Sequence, residues 1–282
     1  MYKKLIIEES EKNHIKNLYG LKEAEVSNTF LLDFIKKALE SQKSQKTSSN
    51  LSVSDLTKGL SNDSNVDASS LNTGDVNLKG NFNSSQENII KLTIDEMEKQ
   101  GITDPYTQIG ILSVIDKESG FKTYKEIGYG NTPDSRIESV FGKRGKKCKG
   151  LKKDDAKFFD CVYGYQSGIR LGNDQPGDGW KYVGRGLNGI TGKANYRKYG
   201  SMIGVDLVGN PELLEDPRIA AKVAIAYFTK GKPVSSIPDF KSKEDAVNYF
   251  ADLNAGRANS TFGRSAAIAS SSKFDVDTSN LA

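Results

Sequence analysis

The sequence predicts a mainly α domain behind a polar linker, and three observations carry that expectation. Apolar residues from Ile89 onward recur at helical intervals. Few segments show the strict alternation of a half-buried strand. Glycines and the pairs Asn210-Pro211 and Asp216-Pro217 cut the chain into helix-length pieces.

The elements follow in order. Residues 1–40 read as short amphipathic helices. Ile6, Ile7, Ile15, Leu18 and Leu21 form one stripe, Phe30, Leu31, Phe34, Ile35 and Leu39 another, with Gly20 between them. Helices this short are marginal alone in water, so they are expected to pack on each other, on the main domain or on a partner. Residues 41–87 are rich in Ser, Asn, Asp and Gly, and too poor in apolar side chains to offset the entropy of ordering; they read as a flexible linker. The globular domain is expected over residues 88–282. Ile89, Ile90, Leu92, Ile94 and Met97 predict a helix ending near Gly101, and Tyr106 to Lys117 a buried helix stopped by Gly120. Residues 121–150 read as loop with a short segment at Arg136 to Phe141. Helices follow at Asp154 to Tyr163, Lys193 to about Ile203, Pro217 to Thr229 and Glu244 to Leu253, with a Gly-rich irregular stretch over 164–190 and a frayed tail after Phe274.

Composition narrows the chemistry. The chain has 282 residues, a net charge of +4 and one histidine, His14, in the N-terminal segment. A Ser-His-Asp triad, a Cys-His dyad and a multi-histidine zinc site all need histidine in the catalytic domain. Acid–base work therefore falls to carboxylates, Lys or Tyr. Cys148 and Cys161 are too few for a disulfide framework and are expected as reduced thiols. The mean hydropathy is −0.54 and no apolar run reaches the ~18 residues that a membrane span needs. The N-terminus lacks the apolar core and small-residue cleavage site of a secretory signal, so carriage to a cell wall is expected through lysis-time release or in a virion. Residues 1–88 carry a net −1 and residues 89–282 a net +5. The dense run from Lys143 to Lys153 reads as a solvated loop or as a patch that attracts a polyanion; without interleaved aromatics it is not a nucleic-acid platform.

Two segments hold the candidate chemistry. Cleaving a glycosidic bond takes two carboxyl groups on opposite sides of it. Glu118 ends the buried helix just before Gly120, and Glu126 lies in the loop beyond. A continuous helix would set them about 12 Å apart; a chain folded back at Gly120 could bring them to the ~6.5–9.5 Å of an inverting pair. Downstream, Gly184-Arg185-Gly186 permits close backbone approach. Thr191 precedes a helix, where its hydroxyl either caps the helix or holds a catalytic water. Asn195 and Tyr196 offer hydrogen bonds to sugar or pack and cap, and Trp180 and Tyr182 offer rings that stack on sugar or fill a core.

ESGF, RIESVFGKR, FFDCVYG, GDGWKYVGRGLNGITGKANYRKYG and GVDLVGNPELLEDPRIAAKVAIAYF occur in that order between about Ile89 and Ser271. This string resembles glycoside hydrolase family 19, the chitinase-like family, in its bacteriophage-endolysin branch. The resemblance implies an α+β lysozyme-like domain, mainly helical and two-lobed, with a central cleft and a metal-free, cofactor-free, inverting mechanism. It implies Glu118 as general acid, Glu126 as general base and Thr191 as the residue positioning water, with Glu138 a lesser candidate for the base. Tyr182, Arg185, Asn195, Asn254 and Arg264 are the candidate substrate-binding residues. Three departures stand out. Lys117 replaces the frequent His, and since an ammonium favours the ionised form of a neighbouring acid it is expected to point away. Gly189 replaces the usual Gln. A second Gly after ESG is absent. The expected function is hydrolysis of the β-1,4 bonds of murein by a phage-encoded enzyme, with a virion component a possible partner of residues 1–40. A chitinase is the alternative, and a decayed wall-binding or virion structural protein a further one.

Overall fold

The computed structural model describes residues 75–256 and 261–276. The expectations for residues 1–40 and 41–74 lie outside them. The described fold is mainly α, as expected. Helices α1 (Ser84–Lys99), α2 (Pro105–Ser119), α8 (Pro217–Thr229), α9 (Lys243–Ala255) and α10 (Thr261–Ser271) build the main body. Between α2 and α8 come α3 (Asp134–Phe141), α4 (Lys143–Cys148), α5 (Asp155–Tyr163), the single turn α6 (Asp178–Lys181) and α7 (Lys193–Ile203). Two short antiparallel pairs complete it. Strand β1 (Val76–Leu78) pairs with β4 (Phe274–Val276), and β2 (Tyr124–Lys125) pairs with β3 (Arg185–Gly186).

The centre of the main body is α2. Ile109, Ile111, Leu112, Val114 and Ile115 are all fully buried, so the helix is apolar on every side, as a central helix must be. Asp104 caps its start, accepting from the Thr107 N–H at 2.7 Å, and Pro105 occupies its first turn. Gly120, at φ 57°, ends it in the left-handed region that glycine tolerates. Phe121 then also takes a positive φ of 53°, unusual for a bulky residue. Its ring is fully buried between Phe82 and Phe274, with centroids 5.7 and 6.0 Å away, so packing holds the strained backbone in place.

Among the described residues three hydrophobic clusters form. The largest joins α1, α2, α8 and α9; a second joins Tyr182, Ile190, Tyr196, Tyr199, Leu214 and Val223; a third is aromatic, with Phe141, Phe158 and Phe159. The glycine-rich segment 182–190 feeds all three, giving Tyr182 and Ile190 to the second, Val183 to the third and Leu187 to the first.

Several expectations are corrected here. Residues 76–87 were expected as linker, yet Val76 is fully buried in β1, and Asn83 and Gln86 form a reciprocal capping box for α1. The tail expected to fray supplies β4 at residues 274–276. Cys148 and Cys161 are joined in a disulfide, because α4 and α5 bring their Cα atoms to 5.8 Å. The basic run is helical rather than loop: Lys149 and Lys152 pair with Asp134, and Lys149 also with Glu138. No helix among the described residues is long and apolar enough to cross a membrane.

Candidate active site

Glu118 lies on the last turn of α2, half-buried. Lys117 Nζ approaches its Oε1 at 2.5 Å, and Asn254 Nδ2, from α9, donates to the same oxygen at 2.8 Å. Lys117 therefore does not point away, as expected, but turns to the same side as its neighbour at the exposed end of the helix. Among the described residues both contacts fall on Oε1, leaving Oε2 without a protein partner. Asn254 thus lies beside Glu118, and Arg264 sits behind it. The Arg264 guanidinium grips Asp252 through Nε (2.9 Å) and a terminal nitrogen (2.5 Å), bracing α9 two residues before Asn254. That makes it a support for the helix that carries Asn254.

Glu126 follows β2, and its N–H donates to Gly184 O at 2.8 Å, continuing the pairing with the glycine-rich segment. Its carboxylate accepts from Tyr129 Oη at 3.1 Å and from Tyr163 Oη at 3.2 Å to each oxygen. Burial pushes the Glu126 pKa above the ordinary carboxylate value, and the two phenols and the Gly184 backbone pull against it. Burial and the Glu126 charge in turn push both phenols above the usual tyrosine value, so they stay protonated donors.

Thr191 joins this carboxylate across Gly184. A Cβ on Gly184 would lie 3.1 Å from Glu126 Oε2 and 3.2 Å from Thr191 Oγ1, so the two oxygens flank one small space that only glycine keeps open. Thr191 is not the helix cap; Gly192 holds that position, and the Thr191 hydroxyl donates to Gly189 O at 2.8 Å. Asn195 is one turn on, its Nδ2 donating to Thr191 O at 2.8 Å.

Tyr124 feels the charge of both carboxylates. Burial raises its pKa first, then the charge of Glu126, then that of Glu118, so its phenol lies within electrostatic reach of both. It was not singled out from the sequence. Nor were Tyr129 and Tyr163. Tyr129, three residues after Glu126, was open to notice in KEIGYG; Tyr163 stands in the FFDCVYG block on a distant helix, where nothing tied it to Glu126.

Two expected substrate contacts prove internal. Tyr182 is 1% exposed and donates its hydroxyl to Val208 O. Arg185 is 4% exposed and ties three elements together, reaching Glu215 at 2.9 Å, Lys181 O at 2.8 Å and Tyr196 Oη at 2.9 Å. Their positions beside a glycine loop suggested a cleft wall, but alternate side chains there feed the core beneath. Trp180 packs against Phe159 with Lys125 Nζ 3.9 Å above its ring. Glu138 is held by Lys149 at 2.8 Å on α3 and belongs to neither carboxylate group.

Around this space the titratable groups are carboxylates and phenols, with one lysine engaged on a carboxylate. A helical glycoside hydrolase is the class that this fold and site define. The family model described as chitinase class I, that of glycoside hydrolase family 19, matches residues 117–268, and the chain belongs to this family. Among relatives, Chitinase 8 of rice, Oryza sativa subsp. japonica, is 30% identical over 93 residues, which cover 33% of this chain and 34% of that protein. A glycosyl hydrolase family 19 domain-containing protein of Haemophilus influenzae is 29% identical over 136 residues, 47% of this chain and 66% of its own length. The chain thus spans about a third and just under two-thirds of the lengths of these relatives.

Proposed function

We propose that this protein is a peptidoglycan hydrolase that cleaves β-1,4 glycosidic bonds of murein with inversion. The observation that carries the reading is the approach of Glu126 Oε2 and Thr191 Oγ1 to the same point beside Gly184, with Tyr124 within electrostatic reach of both Glu126 and Glu118. In this reading Glu118 delivers a proton from Oε2 to the leaving oxygen while Asn254 holds its other oxygen; the Lys117 ammonium favours the ionised form, so it must leave Oε1 before Glu118 acts as the acid. Glu126 takes a proton from a water that Thr191 orients, and the water attacks the anomeric carbon from the opposite face. The net +5 of residues 89–282 favours an anionic wall over a neutral polymer. A role in phage lysis or entry, carriage in a virion, and docking of residues 1–40 on a virion component belong to the same proposal.

A chitinase is the second reading, favoured by the family's description and by the rice relative's name. Mass analysis of fragments released from purified murein sacculi and from soluble chitin oligomers separates the two. Murein fragments with new reducing ends are expected, and Glu118→Gln should lose activity by about 10²–10⁴-fold while keeping its fold. Release from chitin alone would replace the murein reading with the chitinase one. Unchanged turnover by Glu118→Gln would sink the acid assignment.

A further inference from the structure

Gly189 and Tyr124 occupy each other's space. Gly189 has a φ of 60°, and a Cβ built on it would lie 2.6 Å from Tyr124 Oη, far inside contact distance, with the ring carbon bearing that hydroxyl at 3.6 Å. The phenol therefore stands where any other residue at 189 would begin its side chain. The surrounding backbone fixes it there. Tyr124 is paired in register with Gly186, and Gly189 O is gripped by the Thr191 hydroxyl at 2.8 Å. Among the described residues the Tyr124 hydroxyl makes no hydrogen bond, and it is not among the polar atoms sealed from solvent without a partner. A half-buried phenol with an uncommitted hydroxyl that solvent reaches, set against the segment that carries Gly189 and Thr191, is a ligand-facing group. The flanking charges repel an anion, and the hydroxyl suits a neutral sugar oxygen.

We propose that Tyr124 is a substrate-binding residue, its hydroxyl donating to a hydroxyl or acetamido oxygen of the sugar that spans Glu118 and Glu126, and that Gly189 is there to admit it. The proposal rests on the glycosidase reading above and deepens it. The two positions form one unit: the side chain at 124 provides the contact, and the residue at 189 provides the room.

The test is a double-mutant cycle with two readouts. Tyr124→Phe, Gly189→Ala and the double variant are compared for KM and kcat on murein fragments and on an N-acetylglucosamine hexamer. Melting temperature is measured in parallel. Tyr124→Phe keeps the ring and removes only the hydroxyl, so KM should rise about three- to tenfold, with kcat changing less. Gly189→Ala should also raise KM and lower the melting temperature. Part of that loss is the left-handed backbone, present in either background; the rest is the collision with the hydroxyl, which Phe removes. The double variant should therefore bind no worse than Tyr124→Phe alone and lose less melting temperature on Gly189→Ala than the wild type does. An active wild type with unchanged KM in Tyr124→Phe would overturn the sugar contact, and losses that simply multiply would overturn the pairing. A folded wild type that neither binds nor cleaves either glycan would sink the glycosidase reading itself, and this proposal with it.

Discussion

Glu126 sits under two phenols in a half-buried position, and burial leaves its pKa above the ordinary carboxylate value. A raised carboxyl in the folded state contributes stability at pH below its unfolded pKa, and that contribution is lost as pH rises through the folded value. At neutral pH the protein therefore holds an ionised group at a cost. Glu126→Gln should abolish activity and raise the melting temperature at pH 7, with the gain shrinking toward acid pH where the native carboxyl is itself neutral. A variant less stable than wild type at pH 7 would mean that the Tyr129 and Tyr163 bonds to the charge outweigh burial. Arg185 gives the opposite case. Expected to bind sugar, it is buried with its nitrogens on Glu215, Lys181 O and Tyr196 Oη. Burial holds the Tyr196 phenol up at about 12 against the guanidinium's pull, so Tyr196 remains a donor, to Val183 O. Arg185→Met should cost about 2–4 kcal/mol, read as a lower denaturant midpoint, while KM of the folded fraction stays unchanged. A KM effect without a stability effect would restore the sugar contact. At this scale the two glutamates, Thr191 and Asn254 were legible because family motifs mark their positions. Tyr124 and Tyr163 were not, since the Gly189 that Tyr124 abuts and the Glu126 that Tyr163 holds lie far from them in the sequence and no spacing records that.

The elements carry these groups as rigid units, and α2 crosses α9 closely. A Cβ on Gly110 would lie 2.8 Å from the Phe250 ring and 3.0 Å from the Ala246 backbone, so the helices meet where α2 has no side chain. Glu118 is two turns further along α2 and Asn254 two turns further along α9, and they meet in the 2.8 Å bond. Gly110→Ala should push the helices apart, costing about 1–3 kcal/mol by overpacking. It should also lower kcat at temperatures where the variant is still folded, because the separation is transmitted to Glu118. Loss of stability without loss of kcat would show that the active-site end of the crossing adjusts independently. Helices α2, α7 and α8 were readable from Pro at their starts, glycine at their ends or strong apolar runs. The helix α4 was not: KRGKKC has no apolar stripe, and what orders it is the pairing of the neighbouring lysines with Asp134 and Glu138 and the Cys148–Cys161 bridge, all of them tertiary.

At the scale of the whole molecule, the active site is where separate cores are stitched together. Segment 182–190 gives side chains to all three clusters, and the same segment presents Gly184, Gly189 and the approach to Thr191. The mainly α class was readable from periodicity, but the starting point of the domain was not. Nothing in the polar run before Ser84 announces that Val76 pairs with Val276, since a three-residue strand is defined by its partner. This places a boundary that can be measured. A chain beginning at Asp75 keeps β1, Phe82 and the Asn83–Gln86 capping box, whereas one beginning at Asn88 loses them. Burying Val76 contributes about 1.5–3 kcal/mol, and the cap about 1 kcal/mol. Phe82, stacked at 5.6 Å on Phe274, adds to both. The shorter chain should therefore be less stable by about 4 kcal/mol or more, a fall in melting temperature of roughly 10 °C for a domain of this size. The loss should reach the chemistry as well. Phe82 is one of the two rings that hold Phe121 at its positive φ, and Phe121 lies three residues after Glu118. With Phe82 gone that backbone is free to relax, moving the turn that aims Glu118 and drawing β2 away from β3. The chain from Asn88 should accordingly show lower kcat even well below its own melting point, and Phe82→Ala in the longer chain should reproduce part of that drop. Equal melting temperatures and equal kcat for the two chains would place the domain boundary at Asn88 and remove Phe82 from the support of the site.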